Sequence, residues 1–119
     1  MLRCSIRLLW GVKGGGRMNA VQEQVNELVK VELAAANEKF PPFHSAHEGW
    51  AVIMEEAHEL WEATIALRNK LDIAFHDIMR NDTAMVNATI RSMEENAVNA
   101  ACEAIQVAAM CRKFMEMGK

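Results

Sequence analysis

Four glutamates fall within the run Glu55-Glu56-Ala57-His58-Glu59-Leu60-Trp61-Glu62. On a helix, Glu55, Glu59 and Glu62 stand at i, i+4 and i+7, so they share one face, extended backwards by Val52 and Glu48. Like charges stacked on such a stripe repel by about 0.2–0.5 kcal/mol per pair unless something neutralises them. Carboxylates gathered in this way suit a divalent cation that prefers oxygen ligands, Mg²⁺ or Mn²⁺. Taken alone, the cluster also fits a solvated acidic face with no function.

A second cluster bears on that choice. Residues 97–111, AVNAACEAIQVAAMC, are almost wholly small and apolar, the composition of a buried helix. Their polar exceptions Asn99, Glu103 and Gln106 again fall at i, i+4 and i+7, and Asn96 continues the stripe. A charged residue is rarely buried unless it is paired or bound to a metal. The stripe therefore points to a site, with an interhelical hydrogen-bond network that fixes register as the structural alternative. Iron is a poorer fit than Mg²⁺ or Mn²⁺. Glu55-x-x-His58 has the spacing of di-iron bundles, but the matching pair here is Glu103-x-x-Gln106, and Gln is a poor iron ligand. His58 is accordingly placed on the helix surface or behind a ligand.

Three helices must position these groups. The first runs from about Asn19, a plausible N-cap, to about Lys39, with Val21, Val25, Leu28, Val31 and Ala35 at helical spacing. Phe40-Pro41-Pro42-Phe43 ends it, because Pro disfavours helix at itself and at the residue before. Ser45-Ala46-His47-Glu48 is a capping box that starts a second helix at Ala46, continuing to about Arg80. Asn81-Asp82-Thr83 supplies a turn and the next N-cap, and a third helix runs from about Ala84 to Met117. In an antiparallel hairpin, residues at one level have numbers that average to the turn. Glu59 with Glu103, Glu56 with Gln106 and Glu62 with Ala100 all average to 81, the turn that Asn81-Asp82 marks independently. The two polar stripes should therefore face each other.

The expected fold is all-α: an antiparallel helical hairpin plus an N-terminal helix. Each hairpin helix would be roughly 50 Å long at 1.5 Å per residue, too long for a compact chain of this size, so a four-helix-type bundle completed by oligomerisation is expected. Composition agrees. The 119 residues are 51% hydrophobic but only 6% aromatic, with 9 Met and no Tyr, and Gly and Pro are too sparse for the turns of a β fold. No apolar run approaches the ~18 residues of a membrane span. Residues 1–17 differ from the rest, with four basic residues, no acid and four of the six glycines. Signal and transit peptides are alternative readings of this segment. Gly14-Gly15-Gly16-Arg17 before Met18 is what a purine-rich ribosome-binding site gives when translated, so Met18 is read as the true start and 18–119 as the domain. That domain carries 9 basic and 16 acidic side chains, net −7, which argues against a nucleic-acid duplex as partner. Cys4, Cys102 and Cys111 form no C-x-x-C and no disulfide framework. Cys102 and Cys111 read as buried thiols, in a reducing, cytoplasmic compartment.

Glu55-Glu56-x-x-Glu59 on one helix and Glu103-x-x on the next resemble the all-α nucleoside triphosphate pyrophosphohydrolases of the MazG-like superfamily. His47-Glu48-Gly49-Trp50-Ala51-Val52-Ile53 and Glu103-Ala104-Ile105-Gln106-Val107-Ala108-Ala109-Met110 look like a branch found in bacteria and their phages. The resemblance covers roughly residues 19–115. It implies Mg²⁺-dependent attack of water on the α-phosphorus of a (d)NTP, giving (d)NMP and pyrophosphate. By resemblance Glu55, Glu59 and Glu103 hold the metal, Glu56 is either ligand or base, and Glu59 shares in catalysis. Gln106, Asn99, His47 and Glu62 stand around the site or the substrate. A homodimer or homotetramer is implied as well. The family pairs its first motif with Glu-x-x-Asp, whereas Gln106 occupies the Asp position here and residues 60–102 make a longer gap. That departure supports the alternative of a non-catalytic helical interaction protein with a degenerate metal site. Lys39, Arg68, Lys70, Arg91, Arg112 and Lys113 are the cations available to a phosphate chain. Trp50 and Trp61, at 50, 54, 57, 61 spacing with Met54 and Ala57, read as core rather than as base-stacking rings.

Overall fold

A computed structural model describes residues 16–117. The described chain is helical, with α1 over Gly16–Lys39, α2 over Ala46–Met79 and α3 over Thr83–Glu116, and no strand among the described residues. The basic segment 1–17 lies outside the described residues up to position 15, as does Cys4, and Gly16 and Arg17 are the first residues of α1. Asn19 thus sits inside α1 rather than capping it. At the other end, the α1 boundary at Lys39 falls where the Pro41-Pro42 pair requires it.

The start of α2 departs in one detail from the expected capping box. Ser45 Oγ accepts from the Glu48 N–H at 3.1 Å, as expected, but Glu48 reaches one residue further back. Its Oε1 accepts from the His44 N–H and its Oε2 meets His44 Nδ1, both at 3.1 Å. The hairpin turn is fixed by backbone chemistry. Asn81 adopts φ 58°, a left-handed conformation that Asn tolerates better than most residues. The Asn81 and Asp82 N–H groups donate to Ile78 O and Asp77 O at 3.0 and 3.1 Å, closing the end of α2, and Asp82 Oδ1 then caps α3 through the Met85 N–H.

Along the hairpin, a buried or half-buried seam advances by threes and fours. It runs through Gly49, Val52, Glu56, Leu60, Ala63, Leu67, Lys70, Ala74 and Asp77 of α2. On α3 it runs through Val86, Thr89, Met93, Asn96, Ala100, Glu103, Val107, Met110 and Phe114. This is the spacing of an antiparallel coiled coil. Lys70 Nζ donates to Ser92 Oγ at 2.6 Å, a pair whose numbers average to 81, so the register is the expected one. Near the turn, the buried Asp77 carboxylate accepts from Thr89 Oγ1 at 3.0 Å and from the Arg80 guanidinium at 2.6 Å. Helix α1 packs on α3 and not on α2, tied there by Arg112 donating to Asn26 Oδ1 at 2.7 Å.

One face of the hairpin is left open. The radius of gyration is 18.2 Å, against about 13–14 Å for a compact chain of this length. Trp50 and Trp61 are 58% and 61% exposed, so they are not part of the core formed by the described residues, contrary to the expectation from their spacing. The 50–54–57–61 stripe has core spacing, but it lies beside the seam and is exposed among the described residues. Likewise Cys102 is exposed and Cys111 half-buried, since α1 and α2 cover only part of the Ala-rich α3. No helix among the described residues is long and apolar enough to cross a membrane.

Candidate metal centre

Three carboxylates converge between α2 and α3. Glu56 and Glu103 are seam residues, so the packing of one helix on the other aims them inward, and Glu59 flanks them on the exposed side. One oxygen from each of Glu56, Glu59 and Glu103 lies within 4.8 Å of the other two. Two of the inner oxygens, Glu56 Oε2 and Glu103 Oε2, are buried and have no hydrogen-bond partner. Asn96 Nδ2, one heptad before Glu103 on the same seam, is a third orphan.

The electrostatics follow from this crowding. Burial pushes the Glu56 carboxyl above its ordinary range, helped by the charges of Glu59, Glu103, Glu55 and Glu32. Glu103 is raised first by burial and then by the Glu59 carboxylate, which can accept a hydrogen bond only from the protonated form of Glu103 and whose charge opposes its ionisation. Glu32 belongs to α1, so all three helices supply acid to one place. A divalent cation meets these conditions. Oxygens about 2.1–2.4 Å from one ion stand at most about 4.2–4.8 Å apart, and the three here lie within 4.8 Å of one another. An ion would also satisfy both orphaned acceptors, which in a metal-free site hold unfavourable charge in a partly dry seam.

Beside the triad a cleft of about 660 Å³ opens between the C-terminal half of α1, the Pro41-Pro42 link, the start of α2 and the end of α3. Glu32, Glu55, Glu56 and Gln106 give it an acidic and polar end. Val52, Met110, Ala35, Ala36 and Phe43 form apolar walls, and Lys39 and Lys113 supply positive charge. Glu48, also on the wall, is kept below the usual carboxylate range by the His44 backbone N–H and imidazole, and to a smaller extent by the nearby Lys113 charge.

The sequence-derived residues divide. Glu56, Glu59 and Glu103 come together, and Gln106 stands beside Glu56 on the cleft wall. Glu55 is exposed, lies outside the triad and lines the cleft. Glu62 is exposed and pairs with His58 at 3.8 Å. Asn99 and His47 are exposed, and the histidine that holds Glu48 is His44. Sequence reasoning gave no site role to Glu32 or Phe43, and it left Lys113 undistinguished among six cations. A signal for Lys113 existed, because it extends the Asn99, Glu103, Gln106 stripe by seven more residues. The chain matches no protein-family model, no curated protein and no solved structure.

Proposed function

We propose that the protein is a divalent-metal-dependent nucleoside triphosphate pyrophosphohydrolase of MazG-like type, converting a (d)NTP to (d)NMP and pyrophosphate. The observation that carries this reading is the pair of partnerless buried oxygens on Glu56 and Glu103, joined by Glu59, at the edge of a cleft large enough for a nucleotide. Glu56, Glu59 and Glu103 would hold the ion, with the Gln106 side-chain oxygen and Glu55 close by. Bound there, Mg²⁺ or Mn²⁺ neutralises phosphate charge and polarises the α-phosphoryl group.

The chain's own residues account for the rest. Glu56 would keep its buried oxygen on the ion, whose charge offsets the surrounding carboxylates, so the attacking water would give its proton to a group outside the ion's own ligands. Glu55, exposed on the same wall, is placed to orient that water. The apolar walls formed by Val52, Met110 and Phe43 exclude solvent from the substrate and strengthen each charge interaction inside. Gln106, where an acid stands in the resembled family, subtracts one negative charge. The remaining three carboxylates still exceed the +2 of one ion.

The exposed stripe of Trp50, Met54 and Trp61 supports a homodimer or homotetramer in which a partner hairpin completes a four-helix bundle. A nucleotide substrate fits a cytoplasmic protein of a bacterium or phage. Hydrolysis in ¹⁸O-water tests the reaction: the label is expected in the nucleoside monophosphate. Label in inorganic phosphate would move the attack to another phosphorus. Absence of turnover from a folded, metal-binding oligomer would favour a non-catalytic interaction protein.

A further inference from the structure

Lys113 occupies a place where lysine is seldom found. It keeps 5% of its surface exposure, and the one carboxylate its charge is seen to act on, Glu48, stands beyond ion-pair distance. Its ammonium instead sits over the Phe43 ring, 4.9 Å from the centroid. The position is built by close packing. A Cβ on Gly49 would stand 2.6 Å from Phe114 Cδ2 and 2.9 Å from Phe43 Cδ2, so only glycine there lets both rings close around the start of α2. The stem is packed away while the ammonium, not one of the sealed and partnerless side-chain atoms among the described residues, keeps contact with the cleft. An anion arriving through the cleft would give it the direct counter-charge that Glu48, beyond ion-pair distance, does not. Lys39, the last residue of α1, lines the same cleft and carries a second positive charge.

We propose that Lys113, supported by Phe43 and joined by Lys39, binds the outer phosphates of a polyphosphate chain whose inner end lies at Glu56. The cleft is charged in two senses, with Glu32, Glu55 and Glu56 at one end and Lys39 and Lys113 at the other, where Glu48 is held by His44. Gln106 and Lys113 are two helical turns apart, about 10 Å along α3, the reach of an extended triphosphate and its terminal hydrogen bonds. The identification of the ligand as a nucleoside triphosphate rests on the hydrolase reading. The anion site itself rests on the lysine packed against Phe43 in the cleft wall.

Titration calorimetry of the full chain with inorganic tripolyphosphate in EDTA tests the site without any turnover. Binding to the wild type is expected, with Lys113→Met weakening it about ten- to hundredfold, as for loss of a charge-assisted hydrogen bond. Lys113→Arg should retain binding, and Lys39→Met, at an exposed position that carries no fold, should weaken it less than Lys113→Met. Lys30→Met should change nothing, since Lys30 pairs with Glu27 away from the cleft. Unchanged affinity in both Lys113→Met and Lys39→Met, or no binding by the wild type, overturns the assignment. Metal-dependent pyrophosphate release alongside that result would leave the hydrolase reading intact. Lys113-dependent binding without hydrolysis of any nucleotide would uphold the anion site and reject the hydrolase.

Discussion

Replacing Glu103 with Gln should stabilise the metal-free protein and abolish its response to metal. In the absence of an ion, the Glu103 carboxylate has the Glu56 and Glu59 oxygens within 4.8 Å and one buried oxygen unpaired. Two unit charges at that distance repel by about 1 kcal/mol in water and about 3.5 kcal/mol at an effective dielectric of 20. Because Glu59 is exposed and solvent screens it, the lower figure is the better guide, so Glu103→Gln should gain about 1 kcal/mol. That corresponds to a rise in Tm of about 3–6 °C for a chain of this size. Metal should reverse the order. An ion at a hundredfold excess over its Kd adds about 2.7 kcal/mol to the wild type, and the variant should lose most of it.

The same cluster sets a pH dependence. Glu56 and Glu103 have folded-state pKa values above the ordinary 4.5, so the folded form binds more protons than the unfolded one above that pH. Their contribution is fully present below the ordinary carboxylate range and is lost as pH rises through the raised values. Metal-free wild type should therefore gain stability as pH falls from 7 towards 5. Glu48, with its lowered value, opposes this only as pH falls through its own range, below 4.5. Thermal melts in EDTA and in Mg²⁺ or Mn²⁺ at matched ionic strength, across that pH range, measure all three effects. A Glu103→Gln variant less stable than wild type in EDTA would show that Glu103 is a structural hydrogen-bonding residue, and the reasoning would fail.

Gly49→Ala should destabilise by about 1–2 kcal/mol in urea denaturation, because overpacking against Phe114 and Phe43 outweighs the gain in helix propensity. Asp77→Ala removes the acceptor of both Thr89 and Arg80 from a fully buried position, and should cost about 2–3 kcal/mol by the same assay. In sedimentation the wild type should run heavier than its 13.4 kDa chain, and Trp61→Glu, placing charge on the exposed apolar stripe, should shift it towards the monomer. A wild-type monomer would reject the completed bundle.

The hairpin is legible in the sequence because a three-residue turn leaves little freedom. Once Asn81 and Asp82 are placed, every cross-helix pair follows, and Lys70 meets Ser92 and Glu59 meets Glu103 as the averaging rule requires. What is not legible is which of two adjacent glutamates faces inward. Glu55 and Glu56 differ by about 100° around the helix. The charge stripe of Glu55, Glu59 and Glu62 points to one face, while the packing seam of Val52, Glu56 and Leu60 selects the other. The tryptophans fail for a related reason: a spacing identifies a stripe and not its neighbour, and among the described residues Trp50 and Trp61 stay exposed. Glu32 is invisible because the Pro41-Pro42 link, unlike the hairpin turn, sets no register for α1, and only its packing on α3 brings it to the site.

Pyrophosphate release from a panel of ribo- and deoxyribonucleoside triphosphates, with Mg²⁺, Mn²⁺ or EDTA, tests the central claim most directly. The account predicts release that requires the ion and disappears in Glu59→Gln and Glu103→Gln variants that still fold and associate. Release that persists in EDTA or in the Glu103→Gln variant, or no release from any nucleotide by a folded oligomer, would contradict it.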